Sequence, residues 1–370
     1  MTGIFVRATR RGAQRQIKYV TAVGRQAASG RVAEIYDQVE HDFGILAPPV
    51  ILHSPAPGAL AASWMTLRET LVATGAADRA TKEAVASAVS LGNSCPYCVD
   101  VHSMTLHGLV RGRDAAAVAA GQFDAIGDPQ IRAVAGWARD LGTPRAGSAA
   151  FPGAPGEDAE LVGVAVVFHY LNRMVNVFLH ESPFPPGLPA KARGGMMRMI
   201  GRFLRPTSLR HREQGVSLHL LPSARLPGDM SWASGSPTIS AAFARATAAL
   251  DAAAERSVPA SVRNVVAAEL AAWDGRPPAL GHAWVDEALS GIPAPDRPAG
   301  RLALLTAMAS YQVSPSAIAD FRRGHPGDAS LIELTAWAAM TAARRVGSQA
   351  HGARPSRRPS GERGIPDRSA

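Results

Sequence analysis

Apolar residues in this chain recur at intervals of three and four, and that spacing restricts it to helices. Leu60, Trp64, Leu67 and Leu71 form one such stripe, and Ala84, Val85, Ala88, Val89 and Leu91 form another. Side chains three and four apart share a helix face, whereas a half-buried strand alternates with a period of two. Ala and Leu dominate the stripes, hydrophobic residues make up 46% of the chain and aromatics only 6%, a balance that favours helix over sheet. The expected fold class is all-α. At 370 residues the chain has room for two domains or one duplicated domain.

Punctuation divides the pattern. A helix from about Arg31 through Ile35, Tyr36 and Val39 is expected to end at Gly44, before Pro48 and Pro49. Ser54 to Gly58 starts the Leu60 helix and Gly75 ends it. Asp78 is a candidate N-cap for the next helix, and Gly92-Asn93 its stop. Ser94 or Cys95 then caps a helix whose N1 position suits Pro96, a residue with no N–H to lose there. Further helices are expected over 114–120, 128–141 and 157–179. The resulting division is a basic arm (1–29), a first helical repeat (30–183), a Pro/Gly/Met-rich linker (184–237), a second helical block (238–346) and a disordered basic tail (347–370). Within the linker Met196, Met197, Ile200, Phe203 and Leu204 share a helical face opposite Arg198, Arg202 and Arg205. That short helix either meets an acidic or lipid surface or packs one repeat on the other. Packing is preferred, because basic heads snorkel from a buried face.

The second block reads as a degenerate copy of the first. An offset of 180 residues pairs Ala80-Thr81 with Ala260-Ser261, Val85 with Val265, Ala88 with Ala268 and His102 with His282. It also pairs Glu83 with Arg263, Cys95 with Gly275 and Cys98 with Pro278, so any thiol chemistry belongs to the first copy.

Charge and cysteine content exclude several classes. The net charge of +9 sits at the ends: Arg7, Arg10, Arg11, Arg15, Lys18 and Arg25 face no acid in the arm, and the tail holds five arginines against Glu362 and Asp367. The body is near neutral, which argues against nucleic acid as a partner. Two cysteines in one short run cannot form a secreted disulfide scaffold. The N-terminus has no apolar signal core, and no run reaches the ~18 to 20 apolar residues of a membrane span. A cytoplasmic location is the expectation.

That short run is Cys95-Pro96-Tyr97-Cys98, with Glu83 twelve positions before it and His102 four after it. Two thiols at this spacing can close into a disulfide without large backbone movement. Cys98 and His102 fall on one helix face, and the amide dipoles of a helix N-terminus favour the thiolate of one or both cysteines. Glu83, on the preceding helix, can be folded back to act as a base through His102 or a water.

The pattern of Glu83, Cys95-Pro96-Tyr97-Cys98 and His102 resembles the AhpD-like, or carboxymuconolactone decarboxylase-like, superfamily of all-helical proteins, in its alkylhydroperoxidase branch. Phe43-Gly44 to Pro49, Ser54-Pro55 and Leu171-Asn172-Arg173 extend the likeness over about residues 30–180. The resemblance implies that Cys98 attacks an organic hydroperoxide, that Cys95 resolves the sulfenic acid as a disulfide, and that Glu83 and His102 relay the proton. It also implies recycling by an external dithiol, lipoyl or thioredoxin-like, with no metal or flavin, and assembly as a homo-oligomer. In one departure, Tyr97 stands where such peroxidases often carry a histidine, which implies a weaker relay.

Rival readings fare less well. A glutaredoxin would need a strand before its Cys-Pro-Tyr-Cys motif, but here an Ala-rich helix precedes it. A zinc site built from the cysteines with His102 and His107 lacks the usual second ligand pair. The lactone decarboxylase branch does not require a dithiol. A non-catalytic, redox-responsive or zinc-holding protein is the alternative from another class. Taken singly, His107, His169 and His282 read as structural.

Overall fold

The computed structural model describes residues 12–143, 151–185 and 187–352. Its helices are α1 (Gly30–Phe43), α2 (Pro48–Ile51), α3 (Pro57–Leu67), α4 (Arg79–Gly92), α5 (Pro96–Leu109), α6 (Asp114–Ala119), α7 (Pro129–Asp140), α8 (Asp158–Phe178), α9 (Ala190–Ser208), α10 (Pro237–Ser257), α11 (Ala260–Ala272), α12 (Ala283–Ala288), α13 (Arg297–Met308), α14 (Pro315–Gly324) and α15 (Asp328–Gly352). Among the described residues the only β feature is a single bridge between Ile17 and Leu179, so the fold is all-α.

The boundaries follow the local chemistry. Gly44 closes α1 at φ 78°, a conformation that favours glycine. The Asp78 side chain accepts the Thr81 N–H at the start of α4, and Asp128 accepts from Gln130 and Ile131 at the start of α7. One difference lies between α3 and α4. The Leu60 stripe does not leave α3 a solvent face: Ala59 to Leu67 are all buried, and the helix widens into a π-turn over Arg68–Val72.

The long α8 is the axis of the core, packed by α15 on one side and by α4 on another. The sequence suggested no run long and apolar enough to cross a membrane, but among the described residues this one helix is; nearly all of it is buried inside the protein, as the core helix of a helical domain can be. Two like pairs meet across the middle of the molecule, α3 with α10 and α8 with α15. Helix α10 starts at Pro237, 180 residues after Pro57, and α11 lies 180 residues beyond nearly the whole of α4. The shared offset of 180 residues accords with a duplicated repeat. The second copy is degraded where the first carries its dithiol: residues 273–282, opposite the first part of α5, form no helix.

Three expectations need amendment. The helix expected around 196–204 runs over 190–208, and its main contact is α5 in the same half, not the other repeat. Gly108 and Gly201 make this crossing close, since a β-carbon on Gly108 would overlap the Gly201 carbonyl. Periodicity puts Phe203 on the packed face, but it is 76% exposed. Finally, α15 continues to Gly352, six residues into the stretch expected to be disordered; there a β-carbon on Gly347 would stand 2.7 Å from Val166. The expected disorder of 353–370 lies outside the described residues, as do the first eleven residues of the basic arm. From Gly12 the arm lies against the body, where Ala13, Val20 and Ala22 are buried.

Candidate active site

A tight reversal between α4 and α5 builds the site. Ser94 takes a left-handed conformation, φ 51°, and the next amide, on Cys95, donates to Ser90 O at 2.9 Å. Cys95 is the N-cap of α5 and Pro96 its first residue, as the sequence suggested. The chain therefore turns back on itself within three residues, and α5 packs against α4. Gly92 lets α7 approach this corner, because a β-carbon there would be 2.8 Å from the Arg139 carbonyl.

The antiparallel return carries Glu83 to His102. Nδ1 of His102 lies 2.6 Å from Glu83 Oε2, and Arg79 Nε donates to Glu83 Oε1 at 2.8 Å. Glu83 is buried. Burial alone would raise its carboxyl, but Arg79 and then His102 outweigh that and hold it below the usual carboxylate range. An ionised Glu83 accepts from Nδ1–H, which leaves Nε2 as the basic nitrogen of a neutral His102 ring. The edge-on contact with Phe168, 4.4 Å between ring centroids at 81°, holds the imidazole plane.

Glu83, Cys98 and His102 all line one cavity of about 560 Å³. Its remaining wall is mostly apolar, drawn from α3, α5 and α8 and from Met196, Ile200 and Leu204 of α9. Cys95 is not part of that wall. Both thiols are free and buried, but their surroundings differ. Burial pushes the Cys95 thiol well above its ordinary value, and hydrogen bonding and charge at Cys98 add to the shift. For Cys95 this reverses the expectation that the helix N-terminus would favour a thiolate: at this depth desolvation exceeds the dipole's effect. Tyr97, between the cysteines, points to the arm and donates to Gln16 Oε1 at 2.6 Å.

Behind Cys95 lies a polar chain to which the sequence reading assigned no role. Asn172 meets Cys95, donates to Ser90 Oγ at 3.0 Å and accepts from Asn93 at 3.0 Å. Asn93 also reaches His169 Nδ1 at 3.1 Å, and Arg173 donates to the His169 carbonyl at 2.6 Å and to Ala307 O at 2.7 Å. In the sequence Asn172 and Arg173 stand out only as part of the family likeness. Their signal is their i+3 and i+4 spacing from His169 on α8, visible once that helix is known to back the dithiol. His107 is half-buried near Arg198, and His282 sits at the start of α12. Among the described residues no three His, Cys, Asp or Glu side chains gather as a metal site.

Residues 58–140, which span α3 to α7 with the whole dithiol corner, match the carboxymuconolactone decarboxylase family. The chain is also 39% identical over 334 residues to a protein of Mycobacterium tuberculosis named alkyl hydroperoxide reductase, an alignment that covers 90% of this chain and 94% of that relative. The chain belongs to the carboxymuconolactone decarboxylase family. Its likeness to the mycobacterial protein runs through both helical halves, not only the part that holds the cysteines.

Proposed function

We propose that this protein is a thiol peroxidase that reduces organic hydroperoxides through a Cys95/Cys98 dithiol cycle. The observation that carries this is the shared cavity wall, on which Cys98 stands with a His102 already bonded to Glu83. Nε2 of His102 takes the Cys98 proton, and Glu83 stabilises the imidazolium. The Cys98 thiolate attacks the distal oxygen of the hydroperoxide. An S–O bond forms, the O–O bond breaks, and the departing alkoxide takes the proton from His102 and leaves as an alcohol. Cys98 is then a sulfenic acid. Cys95 attacks the Cys98 sulfur as its proton passes to the departing hydroxyl; the S–S bond forms, the S–O bond breaks and water leaves. An external dithiol reduces the disulfide and completes the cycle.

Cys98 facing the cavity supports thiol chemistry over lactone decarboxylation, which needs no dithiol. Tyr97 is engaged with Gln16 and contributes no second imidazole, so His102 is the only imidazole in the proposed relay. The test is consumption of cumene hydroperoxide with dihydrolipoamide as reductant, by wild type and by Cys98→Ser. Turnover by the wild type that Cys98→Ser abolishes is the expected result; no consumption above background by the wild type overturns the proposal.

A further inference from the structure

The wall of the cavity formed by α9 has an outer side that the reaction does not use. Going around this helix, Met196, Ile200 and Leu204 face the cavity. Next to them come Met199 and Phe203, one turn apart and 54% and 76% exposed. Beyond those lie Lys191, Arg198 and Arg202, all exposed. The apolar stripe thus continues from the inside of the cavity onto the surface and is bordered there by cations. Residues 190–208 contain five basic residues and no acid. The chain that follows adds exposed Leu209 and Arg210. Arg198, Arg202 and Arg210 meet no carboxylate among the described residues.

Lining residues of the cavity stand at the surface beside this helix. Ile45, which lines it, is 43% exposed, and α9 touches α1 just ahead of it. About 560 Å³ of mostly apolar space is far more than hydrogen peroxide needs, a molecule not much larger than a water of roughly 30 Å³. A long hydrocarbon chain matches both its size and its lining.

We propose that α9 docks on an anionic lipid surface and that the substrate is an acyl-chain hydroperoxide drawn from that surface into the cavity. The substrate half rests on the peroxidase reading; the docking half does not. Aromatic and thioether side chains flanked by arginines are the composition of a helix that lies in the headgroup region. A bilayer accepts the apolar tip of Phe203 while its phosphates neutralise the arginines. A second copy packed symmetrically on the same face would instead set one cationic helix against another.

Flotation with vesicles of phosphatidylcholine, with and without phosphatidylglycerol, tests the docking. The wild type is expected to float with the anionic vesicles, to bind neutral ones at least several-fold less, and to be released by salt. The double variant Met199→Asp, Phe203→Asp, which touches neither the cavity nor the dithiol, is expected to lose vesicle binding by roughly tenfold or more. Its turnover of dissolved cumene hydroperoxide should match wild type, while its consumption of a phospholipid hydroperoxide held in the vesicles should fall with the binding. Failure of the wild type to bind anionic vesicles, or equal binding by the variant, overturns the docking. So does light scattering in which the wild type is a multimer and the variant a monomer, because the face then belongs to a second copy. Absence of cumene hydroperoxide turnover together with intact vesicle binding overturns the peroxidase reading and its substrate, and leaves the docking supported.

Discussion

His102 Nδ1 and Glu83 Oε2 are 2.6 Å apart, joining two helices whose sequence positions differ by nineteen. The contact exists because the reversal at Asn93–Cys95 folds α5 back along α4. A buried, charge-assisted hydrogen bond of this kind is among the stronger ones in a protein.

Glu83→Gln tests what that bond does. The amide keeps the shape but cannot stabilise a positive imidazole, so peroxide consumption near neutral pH is expected to fall by about a hundredfold or more. The variant should still fold, at a lower unfolding temperature, because the partly buried Arg79 loses its charged partner. An unchanged rate would remove Glu83 from the mechanism.

Arg79→Met separates positioning from chemistry. Arg79 is the largest influence holding the Glu83 carboxyl below its usual range, so its loss raises that carboxyl. The acid limb of the pH–rate profile should then move to higher pH, with a smaller rate loss at alkaline pH than at acid pH. The stability that ionised Glu83 contributes is present above the unfolded carboxylate's pKa and is lost as pH falls through the depressed folded value. A uniform drop in rate at every pH would show that Arg79 serves packing alone.

The two cysteines should fail differently. Cys98→Ser is expected to abolish the reaction with hydroperoxide. Cys95→Ser should allow one attack and stall as a sulfenic acid, detectable as a single dimedone adduct by mass spectrometry. Adduct formation by Cys98→Ser instead would exchange their roles.

Acid stability should report the buried histidines. Tyr170 is bonded to His53 Nε2 at 2.8 Å and His53 Nδ1 to Val50 O at 3.1 Å, and burial lowers the His53 pKa to about 4. The unfolded chain therefore binds a proton that the folded chain refuses between about pH 6.5 and 4. His169, also depressed by burial and by Arg173, acts in the same direction. Stability is expected to be fully present above pH 6.5 and to fall by about 3 kcal/mol for His53 alone on going to pH 4. Urea titrations at several pH values, with His53→Gln as the control whose slope flattens, measure this.

Gly201→Val probes the roof of the cavity. A side chain there would collide with the α5 backbone at Met104 and Gly108, and overpacking of this kind costs about 1–3 kcal/mol. A lower urea midpoint, with a rise in KM for bulky hydroperoxides, is expected. Wild-type stability would mean that α9 does not rest on α5 in solution.

The helices, their caps and the dithiol's place at the start of α5 were readable from the chain alone, because spacing, Asp and Pro at N-termini and Gly44 act within a turn or two of backbone. The i, i+4 relation of Cys98 to His102 is local in the same sense. What faces what was not local. The sequence placed Phe203 on a packed face, since periodicity assigns residues to a stripe without saying which neighbour covers it. It expected the helix dipole to favour the thiolate even at Cys95, whereas the depth of that thiol depends on α8 and the Asn172 chain. The partnership of Glu83 with His102, the walls from α9 and the meeting of α3 with α10 all join segments distant in the chain. Sequence determined the elements and the chemistry available to them; tertiary packing decided which groups lost their water, and desolvation separates the two cysteines.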